Sequence, residues 1–242
     1  MKKILLFILL ITSGMAYGQK QIVWFDAGLK AQWGATALYN KALWDRNSAY
    51  DVGITTGYAY GGKIGINFGY NGVAIDLMFA NGNQDFTEKS TSVSGTINWK
   101  STDVYVLFRN ARNLGYFEVG PKLSFLKKLE MNPNGGGESV DLTSFNEKTN
   151  IAAVLGFGAN ILGDDGRFSG ILGLRFEYGF KNMTTADGYA QNNPIGNGFT
   201  SLYANGEENT NPIFAGVVFE FNWGIGYFGK AQCGARSKFI MF

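Results

Sequence analysis

The sequence contains no histidine, a single cysteine and only four prolines among its 242 residues. Without histidine, catalysis through a Ser–His, Asp–His or Cys–His arrangement is excluded. Cys233 has no second cysteine to pair with, so no internal disulfide can form. Its thiol is interpreted as inert, with pairing to another protein's thiol as the alternative. Carboxylate pairs remain as candidates for acid–base chemistry, but we interpret them as salt-bridge partners. We therefore expect a protein that is not an enzyme.

An excess of one charge sign is also lacking. Lys and Arg number 21 and Asp and Glu number 19, which gives a net charge of +2. A chain balanced in this way is not expected to bind nucleic acid. The segment GDDG at 163–166 lacks the further ligands that a calcium site needs. The segment NGGGE at 134–138 lacks the strand–loop–helix context of a phosphate loop. Both segments are interpreted as turns. The sequence predicts no metal site and no cofactor.

Long apolar runs are limited to the start of the chain. Residues 4–11 are apolar, but a transmembrane helix needs roughly 20 such residues. Lysines precede this run, and the small residues at 16–18 fit a signal peptidase site. The pattern predicts a cleaved signal peptide over residues 1–18 and a mature chain that begins at Gln19.

Glycine and aromatic residues are abundant, at 34 glycines and 15% aromatics. Between residues 56 and 80, large apolar side chains occupy even positions from Tyr58 to Tyr70 and odd positions from Val73 to Phe79. Asn71-Gly72 lies between the two sets. Alternation, a turn dipeptide and renewed alternation predict a β-hairpin with a two-residue turn at 71–72.

The same alternation recurs along the whole chain. Eight strands are predicted, over residues 22–38, 55–70, 73–82, 98–109, 116–129, 149–162, 167–182 and 212–228. Short turns at 71–72, 110–115 and 163–166 alternate with long polar loops at 39–54, 83–97, 130–148 and 183–211.

This sorting of connections by length is typical of a transmembrane β-barrel, with short turns periplasmic and long loops extracellular. A soluble β-sandwich also alternates apolar and polar faces, but it does not require sorted loops or so many aromatics on the apolar face. The predicted fold is all-β: an eight-stranded antiparallel up-and-down transmembrane β-barrel.

In such a barrel the large apolar side chains contact lipid, and the small and polar side chains fill the lumen. The opposite orientation would place charges in hydrocarbon, at roughly 2–4 kcal/mol for each midplane Lys or Arg. Unpaired buried charges cost several kcal/mol each, so acids and bases should balance. The predicted lumen charge network consists of Asp26, Lys30, Lys63, Asp76, Asp103, Arg109, Glu118, Lys122, Arg175, Glu177, Lys181 and Glu220.

Two features fit this pattern less well. Pro121 interrupts the fifth strand and predicts a bulge or a local distortion there. Residues 229–242 extend beyond the eighth strand and are interpreted as a short periplasmic tail. Its final segment, 238–242, is judged too short for a ninth strand, and Phe242, or else Tyr227 or Phe228, is a candidate aromatic signal for barrel assembly.

Residues 20–228 resemble the small outer-membrane β-barrels of the OmpA, OmpX and PorT-like superfamily. The resemblance rests on the architecture, and its most distinctive local element is GYFEVGPKLSFL at 115–126, which is similar to the fifth strand of many such barrels. It implies an outer-membrane barrel domain over residues 19–228 of a Gram-negative envelope protein, surrounded by membrane lipid and lipopolysaccharide. Barrel enzymes of this kind depend on histidine, which this chain lacks.

Members of this superfamily serve as structural anchors, adhesins, surface-binding proteins or accessory subunits of secretion and assembly machines. In the fourth long loop, Tyr189, Phe199 and Tyr203 lie among small polar residues, which is typical of adaptable contact surfaces, although they can equally pack the loops together. The leading interpretation is a non-catalytic protein that binds a surface ligand or a protein partner through its extracellular loops, or that strengthens the envelope. The alternatives are a small gated diffusion channel and an accessory subunit of a secretion or assembly complex.

Overall fold

The structure is a computed structural model that describes residues 23–112, 115–134, 137–163, 168–204, 206–229 and 238–241. The predicted signal peptide at 1–18, Gln19, Cys233 and Phe242 lie outside the described residues. The segments GDDG and NGGGE lie partly outside them.

Antiparallel strands make up most of the described chain. Eight long strands are β1 (Val23–Asn40), β3 (Thr55–Phe68), β4 (Asn71–Glu88), β5 (Ser94–Arg112), β6 (Gly115–Pro133), β8 (Thr149–Leu162), β9 (Phe168–Gly179) and β10 (Thr210–Gly229). Three short strands are β2 (Tyr50–Gly53), β7 (Val140–Asp141) and β11 (Lys238–Met241), and the helical segments are α1 (Lys41–Trp44), α2 (Ala186–Ala190) and a 3₁₀ turn (Thr143–Phe145). None of the described helices is long and apolar enough to cross a membrane.

The eight long strands form a closed ring. Their order is β1-β3-β4-β5-β6-β8-β9-β10, and β10 pairs back with β1 from Val23↔Phe228 to Asn40↔Thr210. Closure pairs both edges of the sheet, which removes the open edges that bare strands would present to lipid. The predicted eight-stranded antiparallel barrel is confirmed.

The outer surface of the ring is an apolar band edged by aromatic side chains. Trp33 and Tyr58 pair on β1 and β3 at one edge, and Phe68 lies at the other edge, paired with Val23. The stretch of β3 from Tyr58 to Phe68 matches the ~9–11 residues that a tilted strand needs to cross a bilayer. We call this belt the membrane-spanning band. The alternation that predicts which side chains face lipid is thus present in the structure.

The hairpin between β3 and β4 turns two residues earlier than predicted. Phe68 pairs with Asn71, so the turn is Gly69-Tyr70 and not Asn71-Gly72. Gly69 has φ 63°, a left-handed conformation that glycine adopts without steric cost. The Asn71 side chain instead accepts a hydrogen bond at 2.6 Å from Nδ2 of Asn110, its paired residue on β5.

Several strands continue well beyond the membrane-spanning band on the side of the long loops. The predicted loop at 83–97 is wrong, because β4 runs to Glu88 and β5 starts at Ser94, which leaves only 89–93 as the connection. The inward side chains of this extension, such as Gln84 and Phe86, are buried. They are covered by loops from distant parts of the chain, so local sequence gives no sign of their burial.

Pro121 causes a local interruption of the β5–β6 pairing and no bulge. The pairs Tyr105↔Lys122 and Phe108↔Val119 share one register, so no residue is inserted between them, but Gly120 and Pro121 have no paired residue on β5. The register shift between β5 and β6 lies instead at Lys100/Ser101. Pro121 remains aligned with Ala153 on β8.

A short additional strand forms at the chain's C-terminal end, contrary to expectation. The pairing of β10 with β9 ends at Trp223↔Phe168, which leaves the following part of β10 free on that side. Residues Lys238–Met241 form β11 and pair there with Gly226–Gly229. Four residues are sufficient because β11 extends one edge and needs no place in the closed ring.

We predict that charge on the lipid-facing surface is costly only inside the membrane-spanning band. Ile64 lies halfway between Tyr58 and Phe68 and is 60% exposed. Ile64→Arg should destabilise the barrel by about 2–4 kcal/mol. The control, Val140→Arg, lies on β7 beyond the band and should change stability by no more than ~0.5 kcal/mol. Urea unfolding in liposomes, followed by the mobility shift between folded and unfolded bands, measures both, and equal midpoints would contradict the placement of the band.

Candidate functional site

The barrel interior holds a dense set of paired charges at the level of the membrane-spanning band. We call it the central network. Its side chains come from β1, β3, β4, β5, β6, β9 and β10 and all point inward. The members are Lys30, Lys63, Arg109, Arg175, Asp26, Asp76, Glu118 and Glu220.

Glu220 lies at one hub of the central network. Arg109 donates to it through two hydrogen bonds, at 2.7 Å to Oε1 and 3.1 Å to Oε2. The Nζ atoms of Lys63 and Lys30 lie 2.8 Å and 3.0 Å from the same carboxylate. Three cations around one carboxylate require further anions, and Asp26 supplies one at 3.1 Å from Lys63.

Arg175 forms the second hub. Its Nε and Nη2 donate to Glu118 Oε1 at 2.8 Å and 2.5 Å, and Nη2 also lies 3.4 Å from Asp76 Oδ2. Its Nη1 donates to Gln32 Oε1 at 3.1 Å. The guanidinium also lies over the ring of Tyr105, 4.9 Å from its centroid. Planar, charge-assisted contacts of this kind are stronger than neutral hydrogen bonds.

A smaller group lies on the loop side of the central network, and we call it the upper triad: Lys122, Asp103 and Glu177. Lys122 Nζ is 2.5 Å from Glu177 Oε2 and 3.3 Å from Asp103 Oδ2. Tyr105 donates its hydroxyl hydrogen to Glu177 Oε1 at 2.9 Å. Tyr105 thus connects the triad to Arg175.

Of the twelve residues predicted to line the lumen, the structure brings eleven together in these two groups. Lys181 is the exception, because it does not line the lumen as predicted. Strand β9 ends at Gly179, so the alternation of inward and outward positions no longer applies at residue 181. The Lys181 side chain is 46% exposed and lies 2.6 Å from Glu147.

Beyond the band, an apolar cluster fills the mouth of the barrel on the long-loop side. Inward side chains of the extended strands meet residues 182–204 of the connection between β9 and β10, and we call this segment the cap. The buried members of the cluster are Leu38, Leu43, Tyr50, Phe86, Ile97, Trp99, Leu129, Met131, Leu142, Met183, Ile195 and Leu202. The same inward face therefore changes from charged inside the band to apolar above it.

The three aromatic residues predicted as loop contacts pack within the cap. Phe199 lies edge-on to Phe86 with ring centroids 5.3 Å apart, and Tyr189 lies edge-on to Tyr203 at 4.7 Å. The Tyr203 hydroxyl donates to the backbone oxygen of Asn193 at 2.5 Å. Burial raises the pKa of both tyrosines. These contacts support the alternative in which the aromatics pack the loops together.

Polar side chains that the sequence analysis did not single out fix the cap. Asn146 and Asn193 exchange two amide hydrogen bonds, at 3.2 Å and 2.9 Å, and both are buried. Glu88, at the end of β4, accepts from the Thr200 backbone at 2.8 Å and from Thr91 Oγ1 at 2.5 Å. Hydrogen bonding from Thr200 and Thr91 lowers the pKa of Glu88. The asparagines of 191–194 signal only a turn in sequence, because their partners lie far along the chain.

The lumen is therefore occupied at two levels, by ion pairs in the band and by the apolar cluster above it. Eight strands enclose just enough space for side chains, and Arg175, Tyr105 and Leu129 have no solvent exposure. Within the described ranges, no three His, Cys, Asp or Glu side chains are grouped so that they could hold a metal ion.

We predict that removing Arg175 strands buried carboxylates. Arg175→Met should cost about 3–5 kcal/mol of stability, because Glu118 and Asp76 lose a fully buried cationic partner. Arg46→Met is the matched control, since Arg46 is exposed on the loop after α1. Urea unfolding in detergent or liposomes compares the two, and similar midpoints would mean that the barrel does not depend on the central network.

No family model matches the chain, and no curated protein matches it. Solved structures that are similar include Neisserial surface protein A, at 12% identity and a TM-score of 0.38, with 82% of this chain and 96% of that chain covered. Ail, the attachment invasion locus protein of Yersinia pestis in complex with the heparin analogue sucrose octasulfate, matches at 13% identity and a TM-score of 0.37, with 81% and 99% covered. The translocator domain of the autotransporter NalP from Neisseria meningitidis matches at 10% identity and a TM-score of 0.29, with 88% and 92% covered. At these values the fold assignment rests on the chain itself: it is a closed, eight-stranded antiparallel β-barrel with an apolar outer surface and a charged interior.

Proposed function

We propose that this chain is a non-catalytic outer-membrane protein that binds a surface ligand or a protein partner through its folded cap. The observation that carries the proposal is the apolar cluster that joins the cap to the extended strands. A loop held in this way does not have to be ordered on binding, and such preorganisation favours affinity. Because side chains fill the lumen, the proposed binding surface lies on the exterior of the barrel.

A polar surface groove on top of the barrel is the proposed contact surface, and we call it the cap groove. It lies between residues 41–50 and residues 200–208 and encloses about 430 Å³. The Tyr50 hydroxyl donates to the Thr200 backbone oxygen across it, and Lys41 Nζ lies 3.9 Å from Glu208. Tyr50 is held in the cluster below, and burial raises its pKa to about 12, so it stays a neutral hydrogen-bond donor.

The remaining parts of the proposal concern the setting of the protein. The chain is exported by a cleaved signal peptide over residues 1–18, and residues 229–242 lie on the periplasmic side. Membrane lipid and lipopolysaccharide surround the membrane-spanning band. The absence of histidine from the sequence supports a role without acid–base catalysis.

A substitution in the cap groove should abolish partner binding without affecting folding. Ser201→Arg places a long cation in the groove, and Ser139→Arg makes the same change on the exposed approach to β7. In pull-downs from gently solubilised outer membranes, a partner retained by the wild type and by Ser139→Arg should be lost from Ser201→Arg. Equal recovery by all three proteins, or by none of them, would contradict the proposal.

The rival function is a small gated diffusion channel, and the packed lumen argues against it. In a planar bilayer the folded protein should show no large, steady conductance, because side chains occupy the lumen at two levels. Persistent currents from well-folded samples would favour the channel. Arg175→Met provides a comparison, since removal of a central side chain is the change most able to open a leak.

A further inference from the structure

A small cavity lies between the upper triad and the apolar cluster. Its volume is about 60 Å³, and its lining includes Gln32, Trp99, Asp103, Lys122, Asn150 and Glu177. Glu147 also lines it, and the side chain of Glu147 is 39% exposed. The lining of the cavity thus extends to the Glu147–Lys181 ion pair, which is partly exposed.

The cavity carries a net negative charge. The upper triad contains two carboxylates, Asp103 and Glu177, but one cation, Lys122. The central network contains four cations and four carboxylates that pair with one another, so it has no surplus cation to offer. Glu147 is already neutralised by Lys181 outside. One positive charge is therefore missing at the triad.

An unpartnered acceptor also lines the cavity. Asn150 is 5% exposed, and its Oδ1 has no hydrogen-bond partner among the described residues. Its Nδ2 donates to the backbone oxygen of Lys181 at 2.5 Å, which fixes the amide so that Oδ1 is the free end. A buried acceptor without a donor costs about 1–3 kcal/mol, and a bound donor would remove that cost.

The nature of the ligand follows from these features. Carboxylates and an amide oxygen accept hydrogen bonds or coordinate cations, and the aromatic side chain of Trp99 also lines the cavity. Both carboxylates already contact Lys122, so a divalent metal would lack the negatively charged ligands that it prefers. The volume suits an ion of about the size of one or two water molecules.

We propose that this cavity binds one small monovalent cation, of the size of ammonium or methylammonium, between Asp103, Glu177 and Asn150. The cation supplies the charge missing from the triad and a donor for Asn150. This binding goes beyond the proposed function, since it requires neither the cap groove nor a protein partner.

The test compares cations at constant ionic strength during urea unfolding of the wild-type protein in detergent. Methylammonium at ten times its dissociation constant should lower the unfolding equilibrium constant about 11-fold, whereas tetraethylammonium, which is too large, should not change it. Ammonium, potassium and sodium in parallel distinguish an ammonium site from an alkali-metal site. Calorimetric titration with methylammonium should show one site per barrel.

Substitutions locate the site. Asp103→Asn makes the triad neutral and should abolish the methylammonium effect, and Glu177→Gln serves the same purpose if Asp103→Asn fails to fold. Asn150→Leu should weaken binding. Asp51→Asn removes a carboxylate that is 75% exposed and should leave the effect intact. A wild type that responds equally to methylammonium and tetraethylammonium, or a neutral-triad variant that keeps the effect, would overturn the proposal.

Discussion

The burial of Arg175 is the constraint on which the rest of the barrel depends. Its guanidinium has no solvent contact, and it reaches from β9 to Asp76 on β4, which lies opposite in the ring, and to Glu118 on β6. A buried charge is tolerated only when its partners are in place. A slip of one residue in any of these strands would turn its charges outward into lipid, so the network and the strand register stabilise each other.

Because side chains pack the lumen, the proposed binding function rests on the barrel's rim. At the rim, the inward face of the strands becomes apolar, and residues such as Phe86 and Met131 form one cluster with Ile195 of the cap. The rim therefore presents a polar surface on an apolar base, and this arrangement supports the proposed binding function.

The balance of positive and negative charge differs between the two levels of the barrel interior. The central network is balanced within itself, whereas the upper triad carries one carboxylate in excess because Lys181 lies outside. The excess charge lies next to a cavity and to the unpartnered Oδ1 of Asn150. A position where charge, space and an open acceptor coincide is where the cost of removing a cation from water is best offset.

The alternation of large apolar and small or polar side chains by itself determined the number of long strands and the lipid-facing surface, because successive residues of a strand point to opposite faces. It also determined the inward position of eleven charged residues, because a charge that faces hydrocarbon is costly. Turn positions were less well determined, since Gly69 and the Asn71-Gly72 pair compete for the same hairpin. Only the tertiary structure decided that residues 83–88 and 94–97 continue as strands, that Lys181 lies outside and that the cap folds inward. Each of these outcomes depends on contacts between segments far apart in the chain, such as Phe86 with Phe199 and Lys181 with Glu147, and local sequence does not encode which distant segment will cover a given side chain.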